Sequence, residues 1–167
     1  SPDGEGGFPG NIHVITDYRF NEDNELSVRH YAETDCATYI NMTNHAYFNL
    51  CGKGKKITEH RLHIPADRIL DTTPAFIPTG KRMNVKNTPF DFTSLKPIGT
   101  DLYADHEQLL WNKGYNHCYI LKDEISVEML EAASLYEPVT GRKMTVMTDL
   151  PAVLLYTAGY YERPDTA

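Results

Sequence analysis

Apolar and polar residues alternate with a period of two along much of this chain, a pattern that favours β-strands over helices and leaves few folds open to it. From Ile12 to Phe20, one parity is apolar, aromatic or threonine, and the other contains His13 and Asp17. A strand with one buried face has this pattern. A similar run starts at Leu26, after the turn-forming residues 21–24. The two runs predict an antiparallel hairpin.

Further short segments have β-strand character, and several are bounded by Gly, Pro, Asn or Asp. Many short strands separated by turns predict an all-β, mainly antiparallel sandwich or barrel. The predicted strands are Ala37–Thr43, Ile57–Ile64, Asn116–Lys122, Ser126–Leu135, Lys143–Thr148 and Ala152–Tyr156.

Two segments depart from the strand pattern. Residues 101–113 have few β-branched side chains, which predicts a short helix or helical turn closed by Gly114. Residues 71–97 contain several Pro, Thr and Asn. That composition predicts a long ordered excursion outside the sheet, of the kind that forms a binding rim.

Length and charge exclude several classes of function. The 167 residues are sufficient for one domain with a sizeable core, so residues 1–167 are predicted to form a single domain. A formal net charge of −7 at pH 7 opposes binding to a phosphate backbone, so no nucleic-acid partner is expected. No apolar run approaches the ~20 residues that cross a bilayer, so no membrane association is expected.

Cysteine usage and the first residues favour a reducing, cytoplasmic location. The three cysteines are an odd number without a Cys-x-x-Cys pair, which favours neither a disulfide framework nor a zinc site. The segment Ser1 to Gly4 lacks the basic and apolar regions of a signal peptide.

One polar motif, Thr43-Asn44-His45-Ala46-Tyr47-Phe48-Asn49-Leu50, follows the predicted strand Ala37–Thr43. In an extended backbone His45 and Tyr47 share one face, while the opposite face is mostly apolar. We expect the apolar face to pack into the sandwich and His45 to face a polar concavity. Imidazole is suited to proton transfer near neutral pH. From the residues alone, a hydrogen-bonded structural histidine is favoured over a catalytic one.

Together with other strings, this motif resembles the aldose 1-epimerase (galactose mutarotase) family. The other strings are Gly114-Tyr115-Asn116-His117, Ile77-Pro78-Thr79-Gly80 and Thr88-Pro89-Phe90-Asp91-Phe92. The resemblance covers nearly the whole chain in the same order. It implies a galactose mutarotase-like β-sandwich (supersandwich) that interconverts α and β anomers of hexoses such as galactose and glucose.

The resemblance also implies roles for particular residues. His45 corresponds to the family's general acid, which protonates the ring oxygen of the sugar, and Tyr47 is expected to contact the substrate. Asn116 stands where the family usually has an Asp that binds sugar hydroxyls; an amide keeps an acceptor but loses the charge. The implied partner is a monosaccharide, and no metal or other cofactor is implied. His117 is expected to be structural and to point to the opposite face.

The family domain is longer than this chain, so residues 1–167 are predicted to be its central portion, incomplete at both ends. The family's upstream histidine and arginine and its catalytic glutamate have no counterpart here. Glu162 lacks the sequence context of that base and is expected to be an exposed charge. A sandwich with uncovered edges is expected to self-associate.

Three alternatives remain open. The substitution at Asn116 and the absent base allow a catalytically silent sugar-binding or regulatory relative. Eleven tyrosines allow a β-sandwich module that binds another protein. His60 and His63 allow a metal site, although their spacing matches no zinc pattern and solvent-exposed strand ends are favoured.

Overall fold

The computed structural model describes residues 1–52, 55–124 and 127–160. The chain divides into two compact units, Ser1–Phe48 and Asn49–Ala167, which are described separately. The sequence prediction of a single domain stays a prediction.

Unit 1 contains the predicted hairpin. Strand β1 (Ile12–Phe20) pairs antiparallel with β2 (Leu26–Thr34), in a register that places Phe20 opposite Leu26. Asn21 closes the turn, because its side-chain oxygen accepts from the backbone N–H groups of residues 23 and 25 at 3.0 and 2.9 Å. Asn24 adopts a left-handed conformation with φ of 61°, which Asn tolerates better than most residues. The predicted hairpin is therefore confirmed.

Unit 2 contains two four-stranded antiparallel sheets. One has the order β10-β7-β4-β5 and the other β6-β3-β8-β9. The strands are β3 (Arg61–His63), β4 (Arg68–Thr72), β5 (Pro78–Asn84), β6 (Lys96–Pro97), β7 (Asn116–Ile120), β8 (Leu130–Tyr136), β9 (Lys143–Thr148) and β10 (Ala152–Tyr156). The nearly all-β, antiparallel class predicted from the sequence is confirmed.

A short helix, α1 (Glu107–Asn112), lies within the segment predicted to be helical. The His106 ring accepts a hydrogen bond from the N–H of Gln108 at its start. Its last turn ends at Lys113, with φ of 51°, and Gly114 follows with φ of 133°. In the part of the chain that the structure describes, no helix combines the length and hydropathy that crossing a bilayer requires.

The two sheets of unit 2 share one hydrophobic core. Side chains from both sheets, including Leu62, Leu135, Ile69 and Tyr119, belong to this core, as does Phe90 from the loop after β5. The Tyr119 hydroxyl donates to the Phe90 carbonyl oxygen at 3.0 Å. Two sheets packed through a common core form a sandwich.

Two predictions about secondary structure were wrong. The segment Ala37–Thr43 contains no strand, and residues 71–97 are not entirely outside the ladder, because they include all of β5 and β6. The predicted strand Ile57–Ile64 is shortened to β3. The predicted start of β8 at Ser126 lies outside the described residues.

Candidate active site

The His45 motif of unit 1 has an irregular backbone rather than a strand. The Asn44 side-chain oxygen accepts from the N–H of Ala46 at 2.9 Å, which forms a local turn. The Asn44 amide nitrogen donates to the Tyr18 hydroxyl of β1 at 3.3 Å. The hairpin of the same unit therefore holds Asn44, the residue directly before His45.

His45 is exposed, and its ring lies beside that of Tyr47 with centroids 5.3 Å apart and planes tilted by 51°. This arrangement leaves the imidazole accessible to a ligand. On the opposite face, Ile40 and Phe48 are 43% and 49% exposed, and the packing of this face into the sandwich stays a prediction.

The end of the motif is held in unit 2 by hydrogen bonds to the Leu50 backbone. The N–H of Leu50 donates to His60 Nε2 at 3.0 Å, and its carbonyl oxygen accepts from Arg142 Nη1 at 2.9 Å. The neighbouring Asn49 accepts from the N–H of Cys51 and donates to the carbonyl oxygen of Lys55. The residues that end the motif thus form an ordered turn.

His60 is buried, with 1% of its surface exposed, so the expectation of a solvent-exposed strand end was wrong. Burial lowers the pKa of His60, while the negative charge of Glu137 opposes this change. His63 is half-buried beside Glu131, with the two side chains 3.5 Å apart. Among the described residues, no group of three or more His, Cys, Asp or Glu is placed to hold a metal ion.

Asn116 begins β7 and is half-buried, between the fully buried Tyr115 and His117. The N–H of Tyr115 donates to Thr157 Oγ1 at 3.0 Å, and the N–H of Thr157 donates back to the Tyr115 carbonyl oxygen. Asn116 itself pairs with Tyr156 of β10. These contacts fix the backbone at Asn116 on both sides.

His117 folds back onto the preceding residue, and its Nδ1 accepts from the backbone N–H of Asn116 at 3.0 Å. It has no exposed surface and packs against the Phe90 ring at a centroid distance of 4.4 Å. Burial, with a smaller contribution from His106, lowers the pKa of His117 to about 4. His117 is therefore neutral at physiological pH and supports Asn116 from the core.

A polar network that sequence reasoning missed links α1 to β4 and β5. Gln108 is 1% exposed, and its Nε2 donates to Asp71 Oδ1 at 2.6 Å. Thr79 Oγ1 donates to the other oxygen of Asp71 at 2.8 Å. Gln108 lies 37 residues from Asp71 in sequence, and no local pattern indicates that the two meet.

The residues expected to act in catalysis and binding are divided between the two units. His45 and Tyr47 lie together in unit 1, and Asn116 lies in unit 2. Glu162 lies outside the described residues. An exposed imidazole beside a phenol can exchange protons and contact a sugar face, and a half-buried amide can bind hydroxyl groups.

The sandwich of unit 2 presents the amide of Asn116, and unit 1 presents the imidazole of His45 and the phenol of Tyr47. The family model of aldose 1-epimerase matches residues 1–165, and the chain belongs to this family.

Relatives with similar sequences carry names that agree with this family. The chain is 35% identical over 160 residues to an aldose 1-epimerase of Escherichia coli (strain K12), covering 96% of this chain and 46% of that protein. It is 35% identical over 163 residues to galactose mutarotase of Homo sapiens, covering 97% of this chain and 45% of that protein. The chain thus spans about half the length of the curated relatives it matches.

Solved structures agree in fold. A galactose 1-epimerase from Lactobacillus acidophilus NCFM superposes with a TM-score of 0.84 at 31% identity, over 96% of this chain and 46% of that one. A GalM/aldose epimerase homologue from C. elegans gives a TM-score of 0.78 at 26% identity, over 93% of this chain and 46% of that one.

Proposed function

We propose that the protein is an aldose 1-epimerase that interconverts the α and β anomers of hexoses such as galactose and glucose, with His45 as the general acid. The observation that carries this proposal is the exposed imidazole of His45 beside the Tyr47 ring, in a chain that belongs to the epimerase family. The substrate class follows from the names of the relatives.

The reaction requires two proton transfers that reverse. His45 delivers a proton to the ring oxygen while a base takes the proton of the anomeric hydroxyl, and the bond between carbon 1 and the ring oxygen breaks. After rotation about the bond between carbons 1 and 2, each group reverses its role and the ring closes on the other face. No atoms are gained or lost. A positioned proton transfer typically contributes about 10²–10⁴-fold in rate.

The chain provides the acid, but no carboxylate in its sequence has the family context of the base. We therefore assign no base within residues 1–167. Tyr47 is proposed to pack against the sugar, because aromatic faces contact the C–H groups of pyranoses well.

Asn116 is proposed to bind substrate hydroxyls. Its amide offers both an acceptor and two donors, and its backbone is fixed by neighbours that are fully buried. A neutral amide forms weaker hydrogen bonds than a carboxylate, so we expect weaker sugar binding than an Asp at this position would give.

Polarimetry tests the catalytic proposal. The protein expressed from its full natural reading frame should accelerate mutarotation of α-D-galactose, and His45→Gln should lower kcat by about 10²-fold or more. His13→Gln changes another exposed histidine of unit 1 and should retain the wild-type rate. An unchanged rate in His45→Gln would remove His45 from the mechanism.

The second candidate is a catalytically silent sugar-binding relative, favoured by Asn116 in place of the family's Asp. It predicts saturable binding of galactose in calorimetry with no acceleration of mutarotation. Acceleration by the wild-type protein excludes this candidate.

A further inference from the structure

The buried imidazole of His60 has no part in the mechanism proposed above. It follows a turn in which its own N–H donates to the carbonyl oxygen of Ile57, and its carbonyl oxygen accepts from the N–H of Ile98 at 2.9 Å. These bonds hold the backbone of His60 directly before β3. From there its Nε2 reaches the N–H of Leu50 at 3.0 Å.

The hydrogen bond to Leu50 requires a particular form of the ring. Because the backbone N–H is the donor, Nε2 has no proton and the neutral ring carries its proton on Nδ1. Among the described residues, that Nδ1 has no hydrogen-bond partner. A buried N–H left unpaired is unfavourable, so packing alone does not explain a histidine here.

The carbonyl group of Leu50 is held from another part of the same unit. Arg142 lies in the turn between β8 and β9, directly before β9. Its Nη1 donates to the Leu50 carbonyl oxygen at 2.9 Å, and the hydroxyl of Thr140 donates to the same oxygen at 3.4 Å. That turn is stabilised by Glu137, whose carboxylate accepts from the N–H groups of Thr140 and Val139 at 2.6 and 3.1 Å. The N–H of Leu50 is therefore bound by a side chain ten residues away in sequence, and its C=O by a side chain 92 residues away.

We propose that His60 is a positioning residue for the epimerase reaction, acting through Leu50. Leu50 lies five residues after His45 and ends the same motif. The bonds to the N–H and C=O of Leu50 restrict the backbone at the end of the motif that carries the general acid. Proton transfer is sensitive to the position of the acid, since a displacement of about 1 Å can lower a rate about 10²-fold. This inference rests on the proposed function.

Variants of His60 test the role. His60→Leu removes the acceptor and should lower kcat about 10- to 100-fold with little change in KM, because Leu50 is not proposed to touch the sugar. His60→Gln places an amide oxygen near the position of Nε2 and should restore most of the lost kcat. His63→Leu changes the histidine of β3, three residues after His60, and should keep wild-type kinetics.

Amide hydrogen exchange provides a readout independent of activity. The N–H of Leu50 should exchange at least about 10-fold faster in His60→Leu than in wild type, and His60→Gln should restore protection. Arg142 is exposed, and Arg142→Gln removes its hydrogen bond to the Leu50 carbonyl oxygen. This variant should also lower kcat. It serves as the second variant if His60→Leu does not fold.

The outcomes separate this inference from the function on which it rests. Wild-type acceleration with unchanged kcat in folded His60→Leu, or in Arg142→Gln if His60→Leu does not fold, overturns the positioning role and leaves the epimerase intact. Absence of acceleration in wild type overturns the proposed function and the positioning role together. Unchanged protection of Leu50 in His60→Leu overturns the hydrogen bond as the cause.

Discussion

Acidification tests the environment of His117 directly, because this histidine is fully buried and neutral. The pKa of His117 falls from the ordinary value of 6.5 to about 4, chiefly through burial and secondarily through His106. The perturbation is a change from pH 7 to pH 5 in wild type and in His117→Asn. The Asn oxygen is able to replace Nδ1 as acceptor for the Asn116 N–H, but the amide does not titrate.

The sign and size follow from proton binding. Below pH 6.5 the unfolded histidine takes up a proton that the folded one rejects, so the free energy of unfolding falls as pH decreases, until the folded pKa of about 4 is reached. The contribution of neutral His117 to the free energy of unfolding is fully present above pH 6.5. At about 1.4 kcal/mol per pH unit, the full effect is about 3 kcal/mol, of which about 2 kcal/mol is lost between pH 7 and pH 5.

Urea unfolding at both pH values measures the effect. The loss of stability between pH 7 and pH 5 should be about 2 kcal/mol smaller in His117→Asn than in wild type. The pKa of His60 is also lowered by burial. Because wild type and His117→Asn both contain His60, its contribution cancels in the comparison. Glu137, with a pKa of about 2, acts at lower pH. His13→Asn serves as the exposed control. Equal losses in wild type and His117→Asn would refute the buried, neutral assignment.

Two further predictions concern binding and backbone geometry. Asn116→Asp should tighten galactose binding about 3- to 10-fold, because charged acceptors form stronger hydrogen bonds; calorimetry measures Kd, and weaker binding would contradict the role of Asn116. Gly114→Ala should lower the free energy of unfolding by about 2 kcal/mol or more, since its φ is 133° and a Cβ would lie 2.6 Å from Thr157 Oγ1. Gly141→Ala should lose only about 1 kcal/mol, because its φ is 72° and no atom lies within 4 Å of the added Cβ. Equal losses in urea unfolding would show that the close approach at Thr157 is unimportant.

The elements predicted well from the sequence are those determined by local chemistry. The hairpin depends on alternation within β1 and β2 and on Asn21, whose side chain bonds to the backbone within four residues. Strands β9 and β10 have the bounds predicted, and α1 ends one residue before the predicted limit at Lys113. In each case the signal and the structure it determines lie in the same short segment.

The segment Ala37–Thr43 shows where local patterns are insufficient. A strand needs a partner for its N–H and C=O groups as well as alternating side chains. Tyr39 is 86% exposed and Ile40 is 43% exposed, so neither parity is covered. Just after this segment, the Asn44 side chain takes the N–H of Ala46 and turns the backbone. The sequence contained that Asn, but its choice between ladder and turn depends on whether a neighbouring strand is available.

The prediction that His60 lies at an exposed strand end was wrong for a related reason. Two histidines separated by two residues look like exposed strand ends, and nothing near them in sequence indicates an acceptor role. The role arises because the chain brings the N–H of Leu50 back to the ring from ten residues upstream. A bond of that kind depends on how the intervening turn closes, which alternation and composition do not encode.

Alternate residues of β7 point to opposite faces, and this alternation places the buried residues on one face and Asn116, the residue proposed to bind sugar hydroxyls, on the other. Tyr115 directly precedes β7 and shares the parity of His117 and Tyr119 within it, and all three are fully buried, whereas Asn116 is half-buried on the other face. The Tyr115 and Tyr119 hydroxyls donate to the carbonyl oxygens of residues 89 and 90, so the segments 115–119 and 89–90 are connected through the core. Substitutions at the buried positions should therefore reduce stability first. A change at Asn116 should alter sugar affinity with little effect on stability, since its backbone is held by its neighbours and not by its own amide.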